Sequence, residues 1–238
     1  ITPDGKTLYF FFTPDVRVPV EKQVIDGVTG IYVSHKQGDG WGNPERVWLQ
    51  DSGKLSLDGC EFVQNNVMWF CSAREGYTGV NLFTAELKSG KWGEFTYVGD
   101  KLMNEYQVGE MHITSDGNEL YFHSQRPGGK GGLDIWVSKR KNGEWQQPEN
   151  VEAVNTERDE GWPFVTQDNS ELWFSKDYGL WRVTKIDGEW MKPELMISSL
   201  AGEASLDNEG NVYFTHHYYK DDIMLEADIF VAKRKVTP

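Results

Sequence analysis

Five aromatic doublets punctuate the chain in the same setting: Tyr9-Phe10, Trp69-Phe70, Tyr121-Phe122, Trp173-Phe174 and Tyr213-Phe214. Each follows a short polar turn and precedes a second apolar run. A unit recurring about every 50 residues buries its apolar face by stacking on neighbouring copies, as in propellers and solenoids. The doublets therefore constrain the architecture before any other feature does.

The third copy is the clearest. Gly109-Glu110-Met111-His112-Ile113 alternates as a strand, Ser115-Asp116-Gly117-Asn118 supplies turn chemistry, and Leu120-Tyr121-Phe122 returns. A loop containing Gly128-Gly129-Lys130-Gly131-Gly132 leads to Asp134-Ile135-Trp136-Val137; Asn142-Gly143 turns the chain again, and Trp145 opens a fourth strand. The step from the third-strand aromatic to the fourth-strand Trp is nine residues in four copies: Tyr32 to Trp41, Phe83 to Trp92, Trp136 to Trp145 and Trp181 to Trp190. Pro44, Pro148 and Pro193 each follow three residues after that Trp, where an outermost strand tolerates a missing donor. First strands begin at Gly59, Gly109, Gly161 and Gly202. Four strands per unit predict one all-β domain over 1–238, a five-bladed β-propeller with blades near 1–50, 51–103, 104–155, 156–198 and 199–238.

The two ends of the chain fall side by side on this ring. Ile1 aligns with Ile113, so blade one lacks the opening of its first strand, and the chain ends before a Trp nine residues beyond Phe230. The expectation is a fifth blade short of its outer strand unless residues upstream of Ile1 supply it, in a natural chain that extends upstream and carries its signal peptide there.

A formal net charge of −13 argues against nucleic acid as a partner, because phosphate backbones need a basic face. No apolar run approaches the ~20 residues that span a bilayer.

The stretches Ile1-Thr2-Pro3-Asp4-Gly5-Lys6-Thr7-Leu8-Tyr9-Phe10 and Ser124-Gln125-Arg126-Pro127-Gly128-Gly129-Lys130-Gly131-Gly132-Leu133-Asp134-Ile135-Trp136 resemble the TolB-type, WD-repeat-like propeller repeats. The resemblance covers essentially the whole chain. It implies a bacterial envelope setting, periplasmic or secreted, in which such propellers often stand beside OmpA-like domains. Because this repeat serves as scaffold, adaptor and enzyme, function has to be sought in a site.

Loops joining the second and third strands share one face with the starts of the first strands. From the doublet to the third-strand aromatic the spacing is 23, 14, 15, 8 and 17 residues in blades one to five, and length variation on a constant frame marks a binding face. The residue after each first-strand Gly is Cys60, Glu110, Trp162 and Glu203, and two positions further stand Phe62, His112, Phe164 and Ser205. Met111, Pro163 and Ala204 between them suit packing between blades; Glu61 breaks that pattern. Glu160 precedes one strand, and the ends of second strands bring Arg74, Arg126, His123, His216 and His217.

A turn at Asn65-Asn66 pairs Gln64 with Val67 and sets Cys60 opposite Cys71, within disulfide reach. The pair reads either as a disulfide or as two reduced, packed thiols. Glu110, His112, His123 and His216 form a candidate site for a divalent metal, Ca, Zn or Mn, although their spacing matches no metal motif. Trp162, with Tyr106 and Tyr218, offers an aromatic surface for a sugar ring.

Two functions follow. The first is an extracytoplasmic, monomeric binding module for a glycan, peptide or envelope protein, contacting it through Trp162, Tyr106, Tyr218, His217, Glu160, Arg74 and Arg126. The alternative is a hydrolase or lyase, in one version metal-dependent, with Glu110, His112, His123, Glu203 and His216 as catalytic groups at the same channel mouth and a glycan or ester as substrate. Propeller glycosidases draw carboxylates from three blades, and Cys60 and Trp162 occupy two of the registered positions here.

Overall fold

The computed structural model describes residues 1–23, 27–49, 54–98, 109–198 and 200–235. Five small antiparallel sheets follow one another along the chain as the blades of a propeller. Blade two shows the plan: Ser56–Gln64 lies innermost, followed outward by Val67–Arg74, Asn81–Lys88 and Lys91–Tyr97. Helix among the described residues amounts to one 3₁₀ turn, Val20–Lys22, and no helix there is long and apolar enough to cross a membrane.

In blades one, three and four the turn that precedes the doublet is closed by a repeated side-chain device. Thr2, Thr114 and Thr166 each donate a hydroxyl hydrogen bond to the Asp two residues on, at 2.7, 2.6 and 2.7 Å. That Asp in turn accepts the backbone N–H of Lys6, Asn118 or Ser170, so short polar side chains satisfy the turn backbone.

Prolines shape the outer strands. In blades one, three and four the outer strand is split into Gly40–Trp41 and Glu45–Arg46, Glu144–Trp145 and Glu149–Asn150, and Glu189–Trp190 and Glu194–Ile197. Pro44, Pro148 and Pro193 sit at the breaks, where the ladder loses a donor. Blade two has Phe95 at that position and keeps a continuous strand.

The doublets and the spaced tryptophans turn out to be one device. The first doublet aromatic of blades one, two and three meets the outer-strand Trp of the next blade edge-on: Tyr9 with Trp92, Trp69 with Trp145, and Tyr121 with Trp190, at 6.0, 6.3 and 6.3 Å between ring centroids. Tyr213 of blade five meets Trp41 of blade one at 6.3 Å and joins the two ends of the ring. The second doublet residues Phe70, Phe122 and Phe174 are fully buried, and separate apolar clusters fill each seam from blade one through blade five.

Blade one begins with a turn, Thr2 N–H to Thr7 O at 2.8 Å, and its strands start at Thr7–Phe12. Among the described residues blade five has three strands, Ala201–Leu206, Val212–Lys220 and Ile223–Ala232. The expected shortfall of strands in blades one and five is therefore present.

Candidate active site at the axial cavity

The inner strands carry an irregularity that decides what reaches the axis. In blades two, four and five the ladder shifts register between Gly59 and Phe62, Gly161 and Phe164, and Gly202 and Ser205. The residue after each glycine is left-handed: Cys60 at φ 54°, Trp162 at 51° and Glu203 at 60°. Such a bulge re-aims the side chains that follow it and suits the rim of a site.

The bulges surround an axial cavity of about 1140 Å³, reached by Cys60, Glu61, Glu110, His112, Trp162 and Glu203. Residues 13–18 of the long blade-one loop and Met224–Ile229 of the adjoining blade five also line it.

Three carboxyl groups from blades two, three and five converge here. Burial pushes Glu61 up to about 8, and the nearby Glu110 and Glu203 charges add to the effect. Glu110 is held up to about 7 by burial and by the Glu203 charge, while a hydrogen bond from the Cys60 thiol draws it part of the way back. Glu203 accepts a hydrogen bond from Thr215 Oγ1 at 2.9 Å, and its backbone N–H donates to Ser175 Oγ at 3.0 Å.

His112 stands in the cavity wall between Phe62 and Phe164, with ring centroids 4.9 and 4.3 Å away. Its Nδ1 accepts the Val165 N–H at 3.2 Å, which leaves the proton on Nε2 of a neutral ring; burial lowers its pKa to about 3. It is a positioned neutral imidazole at neutral pH.

The other expected site residues divide sharply. His123 belongs to the seam between blades three and four: its Nδ1 accepts the Trp162 N–H at 3.1 Å, its ring meets the Trp162 indole at 5.1 Å, and burial lowers its pKa to about 4. It packs over Gly109 and Gly161 and supports the cavity wall from behind. His216 turns its ring toward Tyr218 and Phe230, at 4.6 and 5.6 Å, and does not line the cavity, whereas the neighbouring His217 does. Alternation along the strand sends one of the two histidines inward.

Arg74 is no ligand contact: it is bound to Asp58 at 2.6 Å, with its guanidinium packed over Phe70, Phe83 and Phe95. Glu160 is fully buried, bound by Lys176 at 3.0 Å and by the Thr156 N–H and hydroxyl. Arg126 lies over the Phe122 and Trp136 rings, outside the cavity. Tyr218 is on the outer reach of its hairpin, and Tyr106 lies outside the described residues. Arg74 and Glu160 were each drawn into a buried pair, because an unpaired buried charge costs far more than a paired one.

The metal set is not assembled. Among the described residues no three His, Cys, Asp or Glu side chains are placed to hold an ion: Glu110 and His112 line the cavity, whereas His123 engages the Trp162 N–H and His216 turns toward Phe230. Cys60 and Cys71 are adjacent free thiols in hydrogen-bonding contact. The expected pairing holds from Gln64↔Val67 to Phe62↔Trp69, but the bulge then sets Gly59, and not Cys60, opposite Cys71.

Glu61 was not among the expected site residues. Its signal was present as the one acid among Met111, Pro163 and Ala204 at the corresponding positions. What spacing alone does not reveal is the bulge at Cys60, next to which Glu61 reaches the axis.

No protein family matches the chain by its sequence, and no curated protein does so either. Among solved structures, the chain is similar to an endo-arabinase from Bacteroides thetaiotaomicron VPI-5482, with a TM-score of 0.57 at 14% identity over 98% of this chain and 90% of that one. A GH62 hydrolase in complex with xylotriose aligns at a TM-score of 0.45 and 13% identity, over 73% of this chain and 64% of that one. A puromycin-hydrolyzing peptidase from Mycobacterium tuberculosis aligns at 0.44 and 11% identity, over 89% of this chain and 35% of that one. At these identities the likeness is one of fold, and the fold is a five-bladed β-propeller.

Proposed function

We propose that the axial cavity is the active site of a glycan hydrolase. The observation that carries this reading is the convergence of Glu61, Glu110 and Glu203, from three blades, on one cavity large enough for a sugar. Glycoside hydrolysis needs one carboxyl group that still holds its proton near neutral pH and a second that is ionised. Glu110, held up to about 7, serves as the acid that protonates the leaving oxygen. Glu203, fixed by Thr215, serves as the carboxylate facing the anomeric carbon or its attacking water. Glu61 lies beside both in the same cavity, and Trp162 supplies a stacking face for the ring. The endo-arabinase of similar fold acts on a glycan, which supports this reading by analogy of fold.

The test is a panel of aryl glycosides and oligosaccharides of different linkage. Turnover should fall by about 10²-fold or more in E110Q and in E203Q, the range for losing a positioned acid or base. Absence of turnover across the panel would leave the second reading, a glycan-binding module. The aromatic walls of the cavity, Phe11, Phe12 and Trp162, favour that reading. Binding would then survive E110Q and fail in W162A.

A further inference from the structure

The charge balance of the cavity wall points beyond the reaction class to the substrate. Glu61, Glu110, Glu203, Asp15, Glu226 and Asp228 all line it. The one arginine there, Arg17, is clamped by Asp15 through two hydrogen bonds of 2.8 Å and is already neutralised. His112 is neutral, with its Nδ1 engaged by the Val165 N–H. Among the described residues the one other side chain of the wall that can carry positive charge is His217. Glu61 lies next to two further acids, relieved by its own backbone N–H and, among the described residues, by no side-chain hydrogen bond. A wall of this kind repels uronates and sugar phosphates and leaves carboxylates in want of a cation.

The wall also holds the partner that a cation uses besides a carboxylate. Trp162 presents an indole at the same rim as Glu110 and Glu203, with Phe11 and Phe12 on the blade-one side. Aromatic faces attract ammonium groups, Trp most strongly, and charge-assisted hydrogen bonds from an ammonium to a carboxylate are about twice as strong as neutral ones. Carboxylates and an indole around one enclosed space make a receptor for a protonated amine.

We infer that the cavity selects amine-bearing saccharides, oligomers of an amino sugar with free, protonated amino groups, over neutral and anionic glycans. The inference rests on the glycan reading above and names its substrate class. The amine ion-pairs with Glu61, leaving Glu110 and Glu203 to act on the glycosidic bond.

The experiment is calorimetric titration of the full chain with three oligomers of equal length, at a pH where the amines are charged. The oligomers are fully deacetylated glucosamine, fully acetylated glucosamine and galacturonate. The glucosamine oligomer should bind at least about tenfold more tightly than its acetylated form. The galacturonate oligomer should bind weakest. The advantage should shrink in high salt and in E61Q, while W162A weakens both glucosamine forms. Equal or tighter binding of the acetylated or uronate oligomer overturns the inference, as does binding of none. A lysine-rich peptide that outcompetes the glucosamine oligomer also overturns it, by moving the charge preference to peptides. Hydrolysis of neutral glycosides without a preference for amines sinks the substrate class and spares the hydrolase. Selective binding of the amine oligomer without turnover sinks the hydrolase and spares the charge selection.

Discussion

The Cys60 thiol of blade two faces the Glu110 carboxyl group of blade three and lowers its pKa. The contact spans the seam in which Cys60 packs beside Cys71, Leu82 and Met111, so the apolar packing of two blades holds the donor in place. A donor to the ionised form lowers a carboxyl pKa, and this one opposes burial and the Glu203 charge. Removing it in C60A should move the alkaline limb of the pH–rate profile, or the Glu110 titration read by carboxyl-carbon NMR, to higher pH. C60S, which keeps a donor, should stay near the native chain. An unshifted C60A profile would mean that the thiol does not tune Glu110.

The edge-on contact of Trp41 with Tyr213, 6.3 Å between centroids, joins blade one to blade five. Trp41 is 37% exposed, whereas Trp145, its counterpart at the seam of blades two and three, is 9% exposed. Truncating a buried Trp costs about 3–5 kcal/mol, and an aromatic pair contributes about 0.5–1.5 kcal/mol beyond its buried area. W41A should therefore lose about 1–2 kcal/mol and W145A clearly more, measured by urea unfolding. If W41A costs as much as W145A, closure of the ring limits the stability of the whole domain.

The doublets and the nine-residue step to Trp were legible because edge-on stacking between blades demands both at fixed positions, as in Tyr9–Trp92 and Tyr121–Trp190. The site was legible only in part. Glu110, Glu203, Trp162 and His112 follow from strand register alone and do reach the cavity. Glu61 reaches it beside a left-handed Cys60, a backbone state that residue type does not announce. The same bulge moved Cys60 out of register with Cys71. Arg74 and Glu160 were misplaced for a different reason: each pairs across its own inner hairpin, Glu160 with Lys176 directly opposite and Arg74 with Asp58 one diagonal away, so that their charge is spent within the blade.

Gly109 stands where any side chain would collide with His123. An added Cβ would lie 1.7 Å from His123 Nε2, and the ring cannot swing aside without giving up the Trp162 N–H. G109A should destabilise the fold by about 1–3 kcal/mol, the usual cost of overpacking. The double variant G109A/H123A should recover part of that loss, because the two residues compete for one space. The measurement is a double-mutant cycle by denaturant unfolding. Strictly additive costs would show that His123 is not the obstacle.

The opposing shifts of the buried groups give the stability a defined dependence on pH. Glu61 and Glu110, at about 8 and 7, bind protons more tightly in the folded chain than at the ordinary carboxylate value of 4.5. Between 4.5 and 8 the folded state therefore holds more protons, and stability falls as pH rises. His112 and His123, at about 3 and 4 against 6.5 in the unfolded chain, do the reverse: below 6.5 the unfolded state takes up protons first, and stability falls with pH. The two effects oppose each other between 4.5 and 6.5. Of these groups only the glutamates act from 6.5 to 8; below 4.5 the histidines are joined by Asp4, Asp15, Asp116 and Asp168, whose hydrogen bonds hold them below the usual carboxylate value and are lost as pH falls. Thermal unfolding should thus show a plateau near pH 5–6, with a decline on both sides. The alkaline decline follows the linkage slope of about 1.4 kcal/mol per pH unit for each fully linked proton, reduced by solvent reaching the cavity. E61Q/E110Q should flatten the alkaline side and leave the acid side unchanged. A decline that persists in that double variant would place the titrating groups elsewhere.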